Sequence, residues 1–151
     1  MRTIFIATLF VTSTLLFAGH AQTDKLLKLA KKEAGEMSVA TLKKMLDDEK
    51  DVIILDVREK EQRAEGEIYA DDTFAITRGN LEFKVLNLIK DKDATIVTYC
   101  RGGSRGVLAA QTLKNLGYKH ATNLKGGLKA WAEAGLPIET GLGVIKLSKE
   151  D

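Results

Sequence analysis

Apolar and polar positions along this chain follow two rhythms. Val39, Leu42, Met45 and Leu46 recur at helical spacing behind Ser38, a good helix cap, and predict a helix over 39–48. Leu26, Leu27, Leu29 and Ala30 predict a short helix over 23–33, with Asp24 as its cap and Gly35 as its stop. That segment either packs on the domain or frays as a linker. Further helices are predicted over 59–64, over 81–89 behind Asn80, over 106–116, and over 128–134 before Gly135 and Pro137. In the third of these, Val107, Leu108, Ala110, Leu113 and Leu116 turn inward. Between the helices stand apolar runs, Val52–Leu55, Thr95–Tyr99 and His120–Leu124, which read as strands, while 68–76 reads as strand or loop. Continuous apolar strands alternating with helices mark an α/β fold, a central parallel sheet flanked by helices on both faces.

The chain start follows neither rhythm. Arg2 precedes an uncharged run from Ile4 to Ala18, and Gly19-His20-Ala21 follows. This is the form of a secretory signal over residues 1–21, so an exported protein is expected, periplasmic if the source is a Gram-negative bacterium. The apolar run falls short of the ~20 residues that span a bilayer, so no stable membrane span is expected once the signal is cleaved. The expected organisation is then a helical lead-in over 22–37, a domain over 38–139 and a tail over 140–151.

Composition narrows the chemistry. The 151 residues suit one domain, and 23 Lys+Arg against 21 Asp+Glu give no basic excess for a nucleic-acid partner. A single Cys excludes an intrachain disulfide. Of two His, one lies in the expected signal, so neither a metal site nor a cofactor is expected.

In parallel sheets ligands lie beyond the carboxyl ends of the strands. The first strand is followed by Asp56-Val57-Arg58, the second by Cys100-Arg101-Gly102-Gly103-Ser104-Arg105. A Cys between a strand and a helix meets unpaired N–H groups and the positive end of the helix dipole, and Arg101 and Arg105 add charge. Both effects favour the thiolate at neutral pH. Gly102 and Gly103 let the backbone curl so that N–H groups turn inward, a ring suited to a small anion held against sulfur. Only His120 remains in the mature chain, beyond the following helix, so no Cys–His couple is expected. The reaction must therefore start from an anionic nucleophile and release a group that needs little protonation. A lone Cys is more often a small buried hydrophobe, but this setting favours a nucleophile. Arg101 and Arg105 either hold an anionic donor or brace the loop. Ser104 either hydrogen-bonds sulfur or caps the helix. Asp56 and Arg58 support the site or form a plain ion pair. Trp131 and Tyr118 read as core, and Lys125 as solvated surface or a residue facing the site.

Several short motifs stand in order: Ile54-Leu55-Asp56-Val57-Arg58, Arg78-Gly79 with Leu81-Glu82-Phe83, Tyr99-Cys100-Arg101-Gly102-Gly103-Ser104-Arg105, Leu116-Gly117-Tyr118, Asn123-Leu124-Lys125-Gly126-Gly127, Ala130-Trp131 and Gly135-Leu136-Pro137. Together they resemble the rhodanese-type sulfurtransferase domain, from about Ser38 to Glu139. The resemblance implies a central parallel sheet and a Cys100 that carries a persulfide. It implies a thiosulfate-like sulfur donor, release of sulfite, and a thiol or cyanide acceptor, with Asp56 and Arg58 supporting the site. Where many members carry a Gly-His-Ile-x-Gly-Ala stretch, this chain has Gly66-Glu67-Ile68-Tyr69-Ala70-Asp71, which leaves the local loop and acceptor preference open. Two rivals remain. A cysteine phosphatase or arsenate reductase would place five residues between Cys and Arg, and here there are four, Arg101 to Ser104. A sulfur carrier would pass its sulfur to a protein partner without small-molecule turnover.

Overall fold

The computed structural model describes the backbone of residues 7–146, with side chains from residue 19 onward. Five parallel strands form the sheet: β1 (Glu36–Met37), β2 (Ile53–Asp56), β3 (Asp72–Ala75), β4 (Thr95–Tyr99) and β5 (His120–Leu124), in the order β1-β5-β4-β2-β3. β4 and β5 occupy the predicted residues. β1 escapes the sequence because two residues show no periodicity, and largely exposed β3, inside the stretch read as strand or loop, lacks a continuous apolar run.

Strand residues alternate between two cores, as the pleat requires. Ile53 and Leu55 of β2 and Ile96 of β4 face one side, where α3 (Leu81–Leu88) and α4 (Ser104–Asn115) cover them with Leu81, Val85, Ala109 and Leu113. Ile54, Val97 and Tyr99 face the other, beneath α2 (Val39–Asp47) and α5 (Gly127–Glu133), packed on Leu42, Leu128 and Trp131. Each such fully buried aliphatic side chain stabilises the fold by about 1.5–3 kcal/mol. Ser38 caps α2 as expected, its Oγ accepting the Thr41 N–H at 3.0 Å. Trp131 and Tyr118 are core residues, and Tyr118 donates its hydroxyl to the Ile89 carbonyl at 2.6 Å.

Three expectations need correction. The N-terminal helix, α1, runs unbroken from Ala7 to Ala34, through both Asp24 and Ala21. No proline interrupts it, and Gly19 alone costs only about 1 kcal/mol in a helix, so Ala, Leu and Lys carry it through. Its C-terminal part packs on α4 through buried Ala30 and Ala34, and Gln111 donates to Glu33 at 2.6 Å. The first six residues of the expected signal lie outside the described residues, and no described helix is long and apolar enough to cross a membrane. Asn80 makes no side-chain cap; it ends a short 3₁₀ turn, Arg78–Asn80. Part of the expected tail is regular: β6 (Ile138–Thr140) and β7 (Gly143–Ile145) form an antiparallel hairpin.

Candidate active site

β2 is flanked by β3 on one side and β4 on the other, so the chain reverses its direction of sheet growth around β2. The crevice at the carboxyl ends of β2 and β4 is the place where such a sheet opens a site. Asp56 ends β2, and Cys100 directly follows β4.

The loop from Cys100 to Gly103 is held from outside. Leu128 and Lys129, in the first turn of α5, donate their N–H groups to the carbonyls of Cys100 (2.9 Å) and Arg101 (3.0 Å). In a trans peptide the N–H points opposite the carbonyl, so those two bonds turn the N–H groups of Arg101 and Gly102 away from α5. Gly127 makes this approach fit: a Cβ there would sit 2.2 Å from the Cys100 carbonyl oxygen. Gly103 turns the chain into α4 with φ +99°, a left-handed conformation that favours glycine. Its N–H donates to Cys100 Sγ at 3.1 Å. The N–H groups of Arg101, Gly102, Ser104, Arg105 and Gly106 have no acceptor among the described residues. An α4 start with unused donors favours an anion there.

Cys100 is buried, with 3% of its surface exposed, because its strand lies in the sheet centre and α4 covers its face. The guanidinium groups of Arg101 and Arg105 do not contact the sulfur. Arg101 pairs with Glu65 (3.4 Å); Arg105 pairs with Glu59 (3.7 Å) and donates to Gln62 Oε1 (2.7 Å). Ser104 is exposed and is the first residue of α4, and Gly103 stands at its cap position.

Behind the loop lies a buried polar knot. Arg58 donates from Nε and from one terminal nitrogen to Asp56, at 3.0 and 2.6 Å, and both side chains are fully buried. Its remaining donors reach the carbonyls of Gln62 (3.0 Å) and Gly66 (2.8 Å). Tyr99, the residue before Cys100, donates its hydroxyl to Asp56 at 2.8 Å and accepts the Ile68 N–H at 3.3 Å. Burial opposes the Arg58 charge, but the hydrogen bonds and charge of Asp56 outweigh it and raise its pKa. Burial first, then the Asp56 charge, pushes the Tyr99 phenol well above its ordinary value, so it stays a neutral donor. Neither Asp56 nor Arg58 hydrogen-bonds Cys100. The knot ties the ends of β2 and β4 to the 59–66 segment, a plain ion pair in form and a brace in effect.

His120 begins β5 opposite Thr95, at the far end of β4, roughly 16 Å of strand from Cys100. It cannot serve the thiol. Lys125 is exposed, and its backbone N–H donates to the Met37 carbonyl of β1. In the departing stretch, Glu67 and Glu139 exchange backbone hydrogen bonds at 2.7 and 2.9 Å, which seats the β6–β7 hairpin beside the 59–66 segment. Among the described residues no His, Cys, Asp and Glu cluster could hold a metal ion. Sequence reasoning missed Tyr99, Gln62 and Asn123. Asn123 is buried at the end of β5 and donates to Glu36 at 3.3 Å, linking β5 to β1.

A parallel sheet with a Cys-bearing, amide-rich loop at its switch point defines a class of proteins, and the comparison with known families identifies it. Residues 38–134 match the rhodanese-like domain, and the chain belongs to that family. Among curated proteins, it is 35% identical over 103 residues to a sulfurtransferase of Allochromatium vinosum, covering 68% of this chain and 92% of that one. Among solved structures, it resembles the polysulfide-sulfur transferase homodimer of Wolinella succinogenes, with a TM-score of 0.68, 26% identity, and 87% of this chain and 92% of that chain covered. It also resembles a Rhodopseudomonas palustris protein of unknown function described as a possible tyrosine phosphatase, with a TM-score of 0.71, 31% identity, and 78% and 93% covered. Relatives named as sulfurtransferases cover most of the domain and support a rhodanese-type transferase.

Proposed function

We propose that the protein transfers sulfane sulfur through a persulfide on Cys100, with thiosulfate or a related anion as donor and a thiol or cyanide as acceptor. The single observation that carries the reading is the sulfur beneath a helix start whose N–H groups are unused apart from Gly103. The Cys100 thiolate attacks the outer sulfur of thiosulfate. A Cys100 S–S bond forms, the donor's S–S bond breaks, and its electron pair leaves with sulfite. Sulfite departs as a stable anion, so no general acid is needed, in keeping with a site that has no imidazole in reach. The added sulfur carries the negative charge and takes the loop N–H groups as donors. An acceptor thiolate or cyanide then bonds that sulfur, and the electron pair of the Cys100 S–S bond returns to Sγ. This is double-displacement covalent catalysis.

A phosphatase reading fits less well. Its alkoxide leaving group needs a general acid near the thiol, and the nearest buried carboxylate, Asp56, is fully engaged by Arg58 and Tyr99. A steady-state assay separates the two: thiosulfate with cyanide or a small thiol yields thiocyanate or a persulfide catalytically, and an aryl phosphate is not hydrolysed. Hydrolysis of the phosphate without sulfur transfer would overturn the reading. Single-turnover loading without turnover by small acceptors would point instead to a carrier.

A further inference from the structure

The two loop guanidinium groups are held by one face of a neighbouring element. The 3₁₀ helix Lys60–Glu65, entered at Glu59, has three residues per turn, so residues 59, 62 and 65 stack in a single row. That row meets the Cys100 loop. Glu65 pairs with Arg101 at 3.4 Å, Glu59 pairs with Arg105 at 3.7 Å, and Gln62 accepts from Arg105 at 2.7 Å. The row is itself anchored. Buried Arg58 donates to the Gln62 and Gly66 carbonyls, and Arg63 donates to the Arg58 carbonyl at 3.1 Å. The carboxylates are thus presented by a braced segment.

From this geometry we propose that Glu59, Gln62 and Glu65 are specificity residues that restrain and neutralise Arg101 and Arg105, biasing Cys100 toward donors of lower charge, such as an alkyl hydropersulfide, at most a monoanion, over the thiosulfate dianion. The proposal rests on the sulfurtransferase reading above and names the donor class of that site. Two positive charges at the mouth face two negative ones, so an approaching dianion gains little steering from them. A hydropersulfide, at most a monoanion, depends on that steering less, and it reacts through its protonated form. Its transfer is balanced: Cys100 Sγ bonds the terminal sulfur, the donor's S–S bond breaks, the electron pair leaves as the alkyl thiolate, and the proton stays on the transferred sulfur. Both ion pairs are partly exposed, so salt screens them and the bias depends on ionic strength.

The test compares the full chain with the double variant Glu59→Gln/Glu65→Gln. The donors are thiosulfate and the hydropersulfide of 2-mercaptoethanol, assayed at low ionic strength and at about 1 M salt, where charges are screened beyond ~3 Å. Releasing the arginines is expected to raise the ratio of kcat/KM for thiosulfate over the hydropersulfide about tenfold, through KM rather than kcat, with the gain lost at high salt. A merely structural role would lower kcat for both donors and leave that ratio in place. An unchanged or lowered ratio, with both donors still loading Cys100, overturns the specificity proposal alone. Failure of the unaltered chain to take sulfur from either donor overturns the transferase reading and this proposal with it.

Discussion

Replacing Asp56 with alanine is expected to destabilise the protein by about 3–5 kcal/mol, the cost of leaving a buried charge without its partner. Arg58 is fully buried and uses Nε and a terminal nitrogen on that carboxylate. Without it, Arg58 retains only the carbonyls of Gln62 and Gly66, and the Tyr99 hydroxyl loses its acceptor inside the core. An unsatisfied buried hydroxyl adds about 1–3 kcal/mol at its upper range, partly contained in the figure above. For a chain of this length, Tm should fall by roughly 10 °C or more. Replacing both partners with apolar residues, Asp56→Leu/Arg58→Met, should cost less than either single change, because no charge is then stranded. Thermal unfolding of Asp56→Ala, of the double variant and of its two single changes checks this. A single variant within about 1 kcal/mol of the unaltered protein would show that the knot does not brace the fold.

Cys100→Ser is expected to leave the fold in place and reduce sulfur transfer by roughly a thousandfold or more. Serine fits the same volume and can accept the same Gly103 N–H, so stability should change by only about 1 kcal/mol. Reactivity does not survive. An alcohol needs a base to take its proton, and His120 stands at the opposite end of the sheet. Residual transfer above the solution rate would mean that sulfur is carried elsewhere. Because the chain has one cysteine, that outcome would remove the persulfide from the mechanism altogether.

What could be read from residues alone was whatever local pattern decides. β4 is mostly buried with an apolar centre, and its end places Cys100 correctly. The Asp56–Arg58 pair was legible because it sits two residues apart at a strand end. Tyr99 was not, since within Thr95–Tyr99 its ring looks like any core aromatic and only the fold aims its hydroxyl at Asp56, 43 residues away. The Glu59–Gln62–Glu65 row was hidden by its period. Three residues per turn match neither the helical nor the strand rhythm, and its meaning depends on arginines about 40 positions later. The β6–β7 hairpin was read as tail because Val144 and Ile145 remain exposed and form no inward face.

The most direct test of the account is the mass of the Cys100 peptide, taken under non-reducing conditions after the full chain meets thiosulfate, and again after cyanide. The account predicts a gain of one sulfur atom on that peptide, removed by cyanide as thiocyanate. No gain on Cys100, or a gain that cyanide leaves in place, would contradict it.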